Sequence, residues 1–79
     1  VALHARGQAH YRRGDFQSAA LDFSDAIRLN PSCASIYNDR AAAYHRLRRF
    51  NQALADYDRA IALNPRSARA FANRGLVRP

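Results

Sequence analysis

Lysine, glutamate, threonine, methionine and tryptophan are all missing from these 79 residues, and cysteine occurs once. Without lysine, neither a Schiff base nor a lysine general base can be built. Every cation is an arginine, a planar and permanently ionised donor fork. Without glutamate, the anions are six aspartates set against thirteen arginines, for a formal net charge of +7. The lone thiol, Cys33, excludes an internal disulfide and a zinc site built from cysteine pairs. Long apolar runs are missing too. Nothing approaches the roughly 18 consecutive apolar residues that span a bilayer. No basic segment followed by an apolar stretch and a cleavage site opens the chain. No membrane partner and no cofactor are implied, and a cytoplasmic location is expected. β-branched residues are scarce and nothing alternates with period two, which excludes a strand-built fold. The length allows at most one compact domain or a slice of a longer protein. The slice is the expectation, because the chain opens on Val1 and stops at Leu76-Val77-Arg78-Pro79 inside a helical pattern.

The chain matches itself at a shift of 34 residues, with 13 identities in 45 aligned pairs. Arg6 and Arg40, Arg12 and Arg46, Phe16 and Phe50, Asp22 and Asp56, and Pro31 and Pro65 are among them. Within each period the apolar residues keep helical spacing. Phe16, Ala19, Ala20, Phe23, Ala26 and Ile27 form one stripe, and Phe50, Ala53, Leu54, Tyr57, Ala60 and Ile61 form its copy. Gly14-Asp15 breaks the first pair of helices. Asn30-Pro31 and Asn64-Pro65 end the second helix of each period, because proline disfavours helical geometry in the residue before it. Ser32 and Ser67 are then available as N-caps. The pattern predicts an all-α chain of five helices, over about 2–13, 17–29, 34–47, 51–63 and 68–78. Its units are 1–33, 34–67 and the first helix of a third, 68–79.

Leu3-x3-Gly7, Ala19-x3-Phe23 and Pro31, repeated as Tyr37-x3-Ala41-x2-Tyr44, Ala53-x3-Tyr57-x2-Ala60 and Pro65, resemble the tetratricopeptide repeat. Phe71 and Gly75 open a third copy. The resemblance implies a right-handed α-solenoid of antiparallel helix pairs, whose first helices line a concave groove for an extended peptide or a partner helix. Its function would be binding rather than catalysis. The groove positions it implies are His4, Gln8, Tyr11 and Arg12, then Ser35, Asn38, Asp39, Ala42, His45 and Arg46, then Arg69, Ala72, Asn73 and Leu76. The segment from Tyr37 to Tyr44 is similar to the second repeat of co-chaperones that clamp the acidic C-terminal tails of heat-shock chaperones. That clamp uses Lys and Asn on the first helix, Asn on the third, and Lys and Arg on the fifth. Its five positions here are His4, Gln8, Asp39, Arg69 and Asn73, of which only Gln8 and Arg69 are conservative. Asp39 would set a carboxylate against that of the ligand, at a cost of about a few kcal/mol. A related carboxylate site built from Arg12, Arg46, Arg69 and His45 stays open.

The expected partner is a protein or peptide segment, acidic because the groove is basic, with no small-molecule substrate. A structural spacer without a dedicated ligand is the rival. Self-association through residues 68–79 is a further expectation, since that helix has nothing on its far side. Nucleic acid suits a pI near 11.1 but is disfavoured, because the arginines are interleaved with aspartates over all helices and no RNA-reading or zinc-finger fingerprint is present. A steep fall of log affinity with log salt would identify it. Three unlinked histidines, His4, His10 and His45, make a poor metal site, and no serine sits in a nucleophile elbow. Enzyme activity is not expected. Arg6, Arg40 and Arg74 recur where a packing residue is usual, so each is assigned a structural role with a buried stem and an aspartate partner.

Overall fold

A computed structural model describes residues 2–64. Four helices follow one another: α1 (Ala2–Arg13), α2 (Phe16–Leu29), α3 (Ala34–Arg46) and α4 (Phe50–Leu63). Each begins and ends within about one residue of the sequence expectation. The fifth helix over 68–78, the cap at Ser67 and the pairing of Arg74 lie outside the described residues. Among the described residues all regular structure is helical, and no helix is long and apolar enough to cross a membrane.

The turns inside the two hairpins share one design. The amide of Asp15 donates to the carbonyl of His10 and that of Gly14 to Tyr11, while Arg49 donates to Tyr44 and Arg48 to His45. This paired closure of the last helical turn is the Schellman motif, and it needs a left-handed residue just past the helix end. Gly14 (φ 85°) fills that place in the first hairpin and Arg48 (φ 61°) in the second. Short turns then fold α2 back on α1 and α4 on α3, and α3 packs in addition against α2.

The predicted stripes supply most of the core, but Phe50, which heads the second, is 43% exposed at the hairpin turn. Ala19, Ala20, Phe23, Ala26 and Ile27 of α2 pack with Ile36 and Ala43 of α3, and Ala41 packs with Ala53 and Tyr57. Burial of Phe23 alone contributes about 1.5–3 kcal/mol. Gly7 is small for a reason: a Cβ there would lie 2.6 Å from Cε1 of Phe23. α1 and α2 therefore approach through the bare backbone of Gly7.

Between the apolar residues runs a repeated ion pair. Arg6 donates through Nε and Nη2 to the two carboxylate oxygens of Asp22, at 2.8 Å each. One period on, Arg40 does the same to Asp56, at 2.7 and 2.8 Å. The aspartate partner expected from the sequence is found in both. The buried stem is found only at Arg40, whose side chain is 16% exposed against 62% for Arg6. Arg40 is enclosed because Tyr37 and Tyr44 flank its guanidinium and Nη1 donates to Ser24 of the preceding unit. Among the described residues no helix stands in the corresponding place beside Arg6.

One capping expectation is corrected. The residue preceding α3 is Cys33 rather than Ser32, with extended backbone (φ −91°, ψ 103°) and no side-chain hydrogen bond. Ser32 falls one residue too early for its hydroxyl to reach the first free amides.

Candidate functional site

α1 and α3 run side by side as the first helices of successive units, and they are joined by two polar rungs. The first joins the N-terminal half of α1 to the middle of α3. Nε2 of His4 sits 2.6 Å from Oδ2 of Asp39, and Nε2 of Gln8 donates to the same oxygen at 3.1 Å. An ionised carboxylate only accepts, so the His4 proton resides on Nε2 and Gln8 directs its amide to Asp39 rather than to the imidazole. The His4 ring is held edge-on against Phe23, 5.8 Å between centroids, which ties the rung to the core.

The second rung lies about two helical turns further on. Nε of Arg46 makes a long bond, 3.4 Å, to the hydroxyl of Tyr11, and its guanidinium lies over the ring of Phe16 at 5.8 Å. Tyr11 and Phe16 meet edge to face at 5.1 Å. The hydroxyl of Tyr11, by accepting from Arg46, raises a guanidinium pKa that is already high, so Arg46 is a fixed cation. It is exposed but braced by two rings.

Between the rungs opens a cleft of about 200 Å³, lined by Gln8, Tyr11, Arg12, Phe23, Asp39 and Ala42. It is large enough for one or two side chains of a bound segment, with an apolar floor at Phe23 and polar walls. Its charge is divided. Asp39 stands at one end and Arg12 toward the other, where Arg46 bonds the lining residue Tyr11.

The sequence-derived groove residues do not all meet here. His4, Gln8, Tyr11, Arg12, Asp39 and Arg46 come together along the α1–α3 face. Asn38 is 6% exposed, and its Oδ1 has no hydrogen-bond partner among the described residues. It is the counterpart of His4, one 34-residue period on. His45 stacks against Phe50, 5.7 Å between centroids, as Tyr11 does against Phe16 one period earlier. Arg69 and Asn73 lie outside the described residues. Phe16 and Phe23, absent from the expected site, support its two ends. The signal that could have revealed the rungs is a spacing of 35, one more than the period, which separates both His4 from Asp39 and Tyr11 from Arg46. Among the described residues no group of three or more histidine, cysteine or acidic side chains could hold a metal ion.

The Tetratricopeptide repeat family model matches residues 34–67, and a second model of that family matches residues 4–50. Hsp70-Hsp90 organizing protein 1 from Glycine max is 47% identical over 38 residues, which cover 48% of this chain and 7% of that protein. The Arabidopsis OM64 TPR domain superimposes with a TM-score of 0.95 at 31% identity, over 98% of this chain and 64% of that one. The first TPR of Spaghetti (RPAP3) bound to the HSP90 peptide SRMEEVD gives 0.95 at 28% identity, over 98% and 61%. The TPR2B domain of yeast Sti1 in complex with pHsp70 gives 0.94 at 28% identity, over 96% and 61%. The chain therefore spans less than two thirds of each of these relatives. With residues 4–50 alone making up more than half of its length and the fold in agreement, the chain belongs to the tetratricopeptide repeat family.

Proposed function

We propose that this chain is a protein-interaction module that binds an extended acidic peptide segment of a partner protein along the α1–α3 groove. The observation that carries the reading is the α1–α3 cleft, with Phe23 at its floor and Arg12 in its lining, and with Arg46 braced on Phe16 and on the lining residue Tyr11. A cation held in place loses less side-chain freedom when it meets a carboxylate, which favours binding without adding a contact. A net charge of +7 steers acidic segments toward it. The similarity to TPR domains bound to an HSP90 peptide ending in Glu-Glu-Val-Asp supports both a peptide ligand and its acidity.

The joint replacement Arg12→Ala and Arg46→Ala should weaken an acidic peptide by about tenfold or more while leaving helicity intact. Isothermal titration calorimetry beside circular dichroism reads both. A spacer without a ligand is the second reading, favoured by the fact that the rungs also hold one unit to the next. In that case the double variant binds nothing that the parent chain did not, and its cost appears in thermal stability alone.

A further inference from the structure

Resting on that reading, we infer that Asp39 acts as a resident carboxylate, occupying the donors that α1 offers at its end of the groove, so that the module selects acidic side chains at the Arg12–Arg46 end and does not select a free C-terminal carboxylate. His4 and Gln8 are the α1 side chains that could offer hydrogen-bond donors to an anion at this end. Both point at Oδ2 of Asp39, at 2.6 and 3.1 Å. The Asp39 side chain is only 13% exposed and that of His4 24%, so the arrangement is packed in place rather than waving in solvent. A ligand carboxylate arriving here meets α1 donors already engaged and a like charge in a partly desolvated cleft, where unfavourable juxtapositions discriminate strongly between partners.

Seven residues separate Asp39 from Arg46 along α3, about 10 Å of helix rise, and an extended peptide covers that distance in about three residues. Along this span the groove changes sign. It therefore distinguishes where on a ligand the negative charge lies as well as how much there is. Asp39 is on this account a specificity-determining residue that disfavours a chain terminus and leaves internal acidic segments acceptable.

The test uses the 79-residue chain and two probes, N-acetylated SRMEEVD with a free C-terminus and the same peptide as its C-terminal amide, titrated calorimetrically. The parent chain should bind both within about twofold, and Asp39→Asn should bind the free acid about tenfold more tightly than the amide. Asp39→Ala, checked for helicity, should shift the ratio the same way if Asp39→Asn fails to fold. A parent chain preferring the free acid by about tenfold overturns the inference. So does an unchanged ratio in both variants. Arg46→Ala separates the two levels: if it weakens both peptides equally, the groove reading stands whatever Asp39 does. Absence of binding by the parent chain and by all variants overturns the groove reading and this inference with it.

Discussion

Asp56 is fully buried, and it is tolerable there only because Arg40 grips both its oxygens and Arg59 adds a third donor at 2.8 Å. Breaking such a pair from one side leaves an uncompensated charge in the core. Asp56→Asn should therefore cost about 3 kcal/mol or more in urea unfolding, and Asp22→Asn should cost less, because its partner Arg6 is mostly in water. Asp22 makes a second prediction. The hydrogen bonds from Arg6, aided by charge attraction from Arg6 and His10 and opposed by burial, hold its carboxyl below the ordinary carboxylate value. A depressed folded pKa gives stability that is present above the unfolded value and is lost as pH falls through the folded one. The parent chain should thus lose more stability than Asp22→Asn as pH drops below about 4, and the two curves should run parallel above it. Unfolding titrations at stepped pH check this. The pairing itself was legible in the sequence, since Arg and Asp recur together sixteen residues apart in both units. The difference in burial was not, because it depends on what stands beside each unit and not on the pair.

At the scale of elements, helix ends were read from Gly14-Asp15 and the two Asn-Pro steps, and these hold because each disfavours a further helical residue locally. The second hairpin carries no such sign. Arg48 takes the left-handed conformation that Gly14 takes without penalty, at a backbone cost of about 1–2 kcal/mol for a residue with a Cβ. Arg48→Gly should stabilise the chain by up to about 1 kcal/mol once the greater freedom of glycine in the unfolded state is set against it. Urea midpoints would show it, and a lower midpoint would contradict the strained turn. The caps were less legible than the stops. The position before α3 is fixed by the geometry of the Asn30-Pro31 connection, which sets Cys33 rather than Ser32 in extended conformation. Side-chain chemistry alone does not reveal that one-residue offset.

For the whole molecule, the 34-residue period foretold stacked helix pairs, and the resemblance placed the groove on the first helices. It did not foretell how the groove is wired. Adjacent first helices meet at a spacing of 35, which makes Asp39 the partner of His4 and Gln8 and brings Arg46 onto Tyr11. Asn38 and His45 repeat His4 and Tyr11 one period on, and Asn38 is buried. What results is a groove with an engaged carboxylate at one end and cations toward the other, over an aromatic floor. The most direct test of this account is an NMR titration of the labelled chain with an acidic peptide, at low and at near-physiological salt. The account predicts saturable shifts centred on Gln8, Tyr11, Arg12, Ala42 and Arg46 that persist at the higher salt. Shifts absent from the α1–α3 face, or lost altogether at physiological salt, would contradict it.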